Sequence, residues 1–134
     1  MCVVKFNEYK LKIKYKDEKE CNEIFLIDLE NEQEIGYISF KLNNSPYKHA
    51  WLYKIEIEEK YQCNGFGTLL LKLFENYCID NKIDYVEGKY YPLNKVAKPF
   101  YLKNNYKIEK EYYDTYVVKN LKEKNFLKID ELSK

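Results

Sequence analysis

Between Ile55 and Thr68 the chain changes character within a few residues. Ile55-Glu56-Ile57 closes a strand pattern, Gln62-Cys63-Asn64-Gly65-Phe66-Gly67-Thr68 forms a glycine-bearing turn, and a leucine-rich helix starts at once. A strand that feeds an amphipathic helix through such a turn calls for a fold in which the helix lies on the sheet. The junction is also a candidate anion site. Amides at a helix start have no partner within the helix, and the helix dipole leaves that end partly positive. Gly65 and Gly67 let the main chain approach a pyrophosphate closely, because no Cβ intervenes. No Asp or Glu occurs from Gln62 through Phe74, so the positive field is left to a ligand. Taken alone, GxG marks a tight bend more often than a phosphate site.

The whole chain, 1–134, is read as one domain, with 119–134 as a candidate C-terminal docking tail. With 46% hydrophobic and 34% charged residues it has the composition of an ordinary folded protein. The N-terminus shows no secretory h-region and no apolar run is long enough to span a bilayer, so the expected compartment is the cytoplasm, away from membranes. Cys2, Cys21, Cys63 and Cys78 show no CxxC spacing, and His49 is the single histidine. We expect four reduced thiols and no metal. A net charge of +1 gives no footprint for nucleic acid. Lys89, Lys95, Lys98, Lys103 and Lys107 occur without an intervening acid, which suits either a phosphorylated ligand or a solvated surface.

Tyr9, Leu11, Ile13 and Tyr15 alternate with lysines, the period of a half-buried strand. Glu23 to Leu29 and Glu34 to Leu42 read as an antiparallel hairpin, followed by a loop at Asn43-Asn44-Ser45-Pro46. Trp51 to Ile57 is the strand before the turn. Phe66, Leu70, Leu73, Phe74 and Tyr77 place a helix from about Gly65 to Lys82. Ile83 to Tyr90 is strand-like, and Lys95 to Lys103 or Asn104 is a short helix with Pro99 tolerable only in its first turn. Asn104-Asn105 suits its C-terminal cap. Tyr106 to Tyr112 and Thr115 to Lys119 form a closing hairpin. Phe126, Leu127, Ile129 and Leu132 make the stretch from Leu121 to Lys134 a candidate docking helix.

Two motifs carry a family resemblance. Ile57 followed by the QxxGxG of Gln62 to Gly67 resembles the acetyl-coenzyme A signature of the GNAT N-acetyltransferases. Asn94, Ala97, Phe100, Tyr101, Lys103 and Tyr106 stand at the spacing of that family's later motif. The resemblance covers about residues 34–119. It implies an α+β, α/β/α-like fold with a central, mixed but mostly antiparallel sheet of six to seven strands, splayed between the fourth and fifth.

The same resemblance implies roles. Backbone amides of Gln62, Cys63, Asn64, Gly65, Phe66, Gly67 and Thr68 would hold the coenzyme pyrophosphate, with Cys63 at a variable position. Main chain from Tyr53 to Ile57, including Ile55 and Ile57, would pair with the pantetheine arm and polarise the thioester carbonyl. Asn94 would hold the pantetheine or the following loop, and it is equally a helix cap. Tyr101 would stand near the thioester sulfur and donate a proton as the thiolate leaves. Lys103 reaches a phosphate or faces solvent. Attack by an amine of pKa about 10.4 needs a proton acceptor: Glu56, Glu87 or water. The implied activity is acetyl transfer to a primary amine by direct attack in a ternary complex, or else acyl-coenzyme A binding without turnover.

Three positions depart from the family pattern. Glu59 stands where Pro is frequent, the phosphate loop has no basic side chain, and Asn105 replaces a Gly. Between the first two strands the family places two helices that wall the acceptor site, where this chain has only residues 16–22. The acceptor pocket is then open or completed by a second subunit in a homodimer. Its occupant is a small-molecule amine or an exposed amine on a protein or peptide.

Overall fold

A computed structural model describes residues 2–18, 20–44, 47–91, 93–111 and 114–122. Its elements run β1 (Cys2–Phe6), β2 (Tyr9–Asp17), β3 (Asn22–Asp28), β4 (Gln33–Asn43), β5 (His49–Ile57), a 3-10 turn (Glu59–Tyr61), α1 (Phe66–Asp80), β6 (Tyr85–Tyr90), α2 (Ala97–Lys103), β7 (Lys107–Glu111) and β8 (Asp114–Asn120). The strands form a single sheet in the order β1-β2-β3-β4-β5-β6-β8-β7. Neighbours are antiparallel except β5 and β6, which the α1 crossover makes parallel.

The sheet has eight strands where six to seven were expected. The extra one is β1, joined to β2 through Asn7-Glu8, with Asn7 at φ 54°. Asparagine is among the few residues that take up that left-handed turn readily. The fourth and fifth strands that the resemblance expects to be splayed therefore correspond to β5 and β6. Between β2 and β3 lie only residues 18–21, and a turn there closes with Glu18 N–H donating to the Cys21 carbonyl at 3.0 Å. The tail expected to dock lies outside the described residues beyond Lys122.

Period-two alternation sends Ile24, Leu26, Ile38, Phe40, Ala50 and Leu52 to one face, where they join one buried cluster with Leu69, Leu70, Leu73, Phe74 and Cys78 of α1. Phe40 and Phe74 lock the two layers, with ring centroids 4.7 Å apart. Both helices end alike. After α1, Lys82 takes φ 63° and Ile83 N–H returns to the Cys78 carbonyl; after α2, Asn105 takes φ 69° and Tyr106 N–H returns to the Tyr101 carbonyl at 3.0 Å. Each is a Schellman closure. Asn105 thus fills the left-handed position for which the family uses Gly. Pro99 falls in the first turn of α2, where an amide hydrogen is dispensable.

Candidate active site

The middle of the sheet is where the regular ladder gives way. Ser39 pairs with Lys54 but Phe40 pairs with Leu52, so Tyr53 is the extra residue of a bulge. The bulge resets the alternation. Ala50 and Leu52 point to the core before it, Ile55 and Ile57 after it, and Lys54 and Glu56 turn to the opposite face. At the same level the β5–β6 pairing stops, its last partners being Leu52 and Gly88. Among the described residues, 53–57 therefore have no strand partner on the edge away from β4.

β5 leads through the 3-10 turn into the glycine loop. That turn is anchored by the buried Tyr61, whose hydroxyl donates to Asp28 Oδ2 at 3.0 Å. Gln62 folds back, Nε2 donating to the Ile57 carbonyl at 2.9 Å, and Asn64 Nδ2 ties down the Tyr61 and Gln62 carbonyls. Cys63 and Gly65 take φ of 64° and 84°, a pattern that gathers successive N–H groups into a concavity. The amides of residues 63–68 find no acceptor among the described residues; the first bonded amide of α1 is that of Leu69, on the Gly65 carbonyl. No acid stands in the first turn of α1. Gly65 has two reasons to be glycine: its φ, and the Phe6 ring 3.3 Å from where a Cβ would stand. Phe66 contributes only its amide, since its ring is buried against Phe6, Tyr9 and Tyr61.

The later motif packs onto this loop. A Cβ at Gly67 would lie 3.2 Å from the Phe100 ring and 4.0 Å from Ile57, so Gly67 seats α2 against α1 beside the free edge of β5. Asn104 Nδ2 reaches Thr68 Oγ1 at 3.4 Å. One residue after Phe100, Tyr101 is 7% exposed, between Tyr90 at the end of β6 and Tyr106. Among the described residues no buried side-chain polar atom lacks a hydrogen-bond partner and none bonds to the Tyr101 hydroxyl, so that hydroxyl retains its contact with solvent. Burial pushes its pKa up to about 12. Asn94 is a cap: its Oδ1 accepts the amides of Val96 and Ala97 at 3.1 and 3.2 Å. Lys103 faces solvent.

Glu56 and Glu87 lie on the face opposite the helices. Glu56 accepts from the Tyr37 hydroxyl at 3.2 Å and pairs with Lys54 at 3.2 Å, while Glu87 accepts from Tyr47 at 2.8 Å. Among the described residues no group of His, Cys, Asp and Glu could hold a metal, and no helix is long and apolar enough to cross a membrane. Cys21, Cys63 and Cys78 are free thiols, and burial raises the pKa of Cys78 far above that of a reactive one.

Sequence patterns missed one polar cluster. Glu75, fully buried on α1, accepts from Tyr106 at 2.8 Å, Lys119 at 3.0 Å and Lys72 at 3.2 Å. Burial, then Glu75, drive the Tyr106 pKa well up; burial lowers that of Lys119 despite Glu75. The signal was present: α1 is apolar on nearly every side of its first turns, so Lys72 and Glu75 had to be buried and paired.

Residues 3–106 match the acetyltransferase (GNAT) family. The chain belongs to that family. Its members are transferases, and the two motifs found from sequence fall within the matched span. No curated protein matches the chain in sequence. Solved structures of the same fold include the PaiA N-acetyltransferase of Thermoplasma acidophilum in complex with coenzyme A, at 24% identity and TM-score 0.63 over 73% of this chain and 60% of that one. This GNAT chain thus spans less than two thirds of that relative's length. A GNAT acetyltransferase from Staphylococcus aureus aligns at 19% identity and TM-score 0.63, over 75% and 68% of the two chains. Tetrahymena GCN5 aligns at 15% and TM-score 0.65, over 78% and 70%. At these identities the likeness speaks for the GNAT fold.

Proposed function

We propose that this chain binds acetyl-coenzyme A across the opening between β5 and β6 and transfers the acetyl group to a primary amine in a ternary complex. What supports the reading most is the packing of Phe100 on Gly67, which brings α2, the helix that carries Tyr101, against the loop of six unpaired amides and beside Ile57 at the free edge of β5. The amides of residues 63–68 hold the pyrophosphate, with Gln62 shaping the loop, and main chain at 53–57 pairs with the pantetheine arm and polarises the thioester carbonyl. Asn94 orients the loop before α2.

The amine nitrogen attacks the carbonyl carbon, the carbon–sulfur bond breaks, and the electron pair leaves on sulfur. Tyr101 meets that charge. A phenol near pKa 12 facing a thiol of about 8.5 donates a hydrogen bond to the thiolate rather than yielding its proton outright. The proton lost by the amine passes to Glu56, to Glu87 or to water. Because both carboxylates lie on the face opposite the helices, the acceptor approaches from that side. The acceptor is a small-molecule amine or an exposed protein or peptide amine, and a homodimer would complete the open wall.

A specific observation keeps a second reading, an acyl-coenzyme A-binding module without turnover: each candidate carboxylate already has a partner. Thiol release from acetyl-coenzyme A over a panel of amines separates the two. Turnover that falls in Tyr101→Phe supports the transferase. Tight coenzyme binding with no turnover on any amine supports the module, and no binding at millimolar coenzyme sinks both.

A further inference from the structure

We propose that Lys119 is a positioning residue for Tyr101: by bridging Glu75 of α1 and the Asn104 carbonyl at the end of α2, it holds the short helix that carries Tyr101 against the helix that carries the phosphate loop. The inference rests on the reading of Tyr101 as the group that meets the departing sulfur.

α2 has seven residues, too few to persist alone. Its last turn is gripped from three sides. Lys119 Nζ donates to the Asn104 carbonyl at 3.0 Å and to Glu75 Oε1 at 3.0 Å. Tyr106 donates its hydroxyl to Glu75 Oε2 at 2.8 Å, and its amide closes on the carbonyl of Tyr101 itself. Asn104 Nδ2 holds the Phe100 carbonyl at 2.8 Å and reaches Thr68 in the first turn of α1. Every grip ends on the backbone flanking Tyr101 or on α1, at Thr68 or at Glu75.

The lysines of the cluster divide the work. Among the described residues Lys72 forms its ion pair with Glu75, one helical turn along α1, and serves to balance its charge. Lys119 reaches β8, α1 and α2 at once, and its ammonium also lies 5.3 Å from the Tyr106 ring centre. Desolvating a second ammonium for a single carboxylate is a poor way to gain stability, since apolar replacements of buried ion pairs are often neutral or better. What the second lysine adds is geometry. Its removal still leaves Glu75 paired with Lys72 and Tyr106, so the fold should survive it.

Lys119→Met keeps the length of the stem and removes the ammonium. Three quantities are read on the same preparations: peptide-level hydrogen exchange, coenzyme A affinity by calorimetry, and steady-state transfer to an amine. Exchange over residues 97–106 should rise about tenfold while peptides of β2 to β4 stay as they were. Coenzyme A affinity should hold within about threefold and kcat should fall about tenfold, with little further loss when Lys119→Met is added to Tyr101→Phe. Unchanged exchange over 97–106, an equal rise in every peptide, or the same kcat loss in the Tyr101→Phe background would each overturn the proposal. If Lys119→Met does not fold, the triple variant Lys72→Met, Glu75→Gln, Lys119→Met, with no charge left in the cluster, carries the same readouts. A wild-type chain inactive on every amine sinks the transferase reading, while the exchange measurement still decides the clamp.

Discussion

β3 and β5 both run through the centre of the sheet, and both are paired on one side with β4. β3 has a full second partner in β2, from Leu11–Asp28 to Asp17–Asn22, so its backbone groups are consumed within the ladder. β5 has a second partner only as far as Leu52, and beyond the Tyr53 bulge its outer edge is open. In most proteins such an edge is a liability that is covered or charged. Here it lies next to six unpaired amides and a solvent-touching tyrosine buried on all other sides. The half that is complete supplies stability, and the half that is incomplete supplies a place for a ligand's polar groups.

If that division is right, damage to the two halves should register in different measurements. The largest loss is expected in the complete half. Phe74→Ala removes the ring that packs 4.7 Å from Phe40 and should cost about 3–5 kcal/mol in urea unfolding, with coenzyme A affinity unchanged in the fraction still folded. Next comes the open half. Gly65→Val places a branched side chain at φ 84° against the Phe6 ring, and coenzyme A affinity by calorimetry should drop about 100-fold, more than any loss of stability would explain. Equal effects of the two substitutions on binding and on unfolding would remove the distinction.

How much of this was legible beforehand follows the same line. Tyr9 to Tyr15 reads as a strand because one face is buried and one is wet, and period two records that directly. The loop at Gln62 to Thr68 was legible because glycine and the absence of acids are local chemical choices. β1 was not, since its partner β2 is set by a turn at Asn7 without the usual glycine. The bulge was hidden in Trp51 to Ile57, whose mixed burial pattern arises only when β4 is laid beside it. The Glu75 cluster joins residues 44 positions apart, and separation in sequence conceals such a bond until the fold closes it.

Tyr101→Phe tests whether the open half acts on the chemistry itself. Because the hydroxyl bonds to no described residue, its loss should leave the urea midpoint in place while kcat falls about 100-fold. The pH dependence sharpens this. The Tyr101 pKa is raised in the folded state, from an ordinary value of about 10 to about 12. Its stabilising contribution is therefore complete below pH 10 and is lost as pH climbs toward 12. Wild type should lose stability across that window by more than Tyr101→Phe does, and no decline in turnover between pH 8 and 10 should be traceable to this residue.

The smallest expected effect on the fold is that of Glu56→Gln, and it separates the candidate proton acceptors. Lys54 and Glu56 form an exposed pair on the face opposite the helices, and such pairs contribute little to stability. The unfolding midpoint should not move. If Glu56 accepts the amine's proton, kcat should fall by about 100-fold at neutral pH and recover as pH rises and the amine deprotonates unaided. If Glu87 or water is the acceptor, kcat stays at the wild-type level, and Glu87→Gln becomes the variant that decides between them. A fall in kcat that does not recover with pH would place Glu56 in holding the acceptor rather than in taking its proton, because raising the pH frees the amine of its proton but does not restore a carboxylate that oriented it.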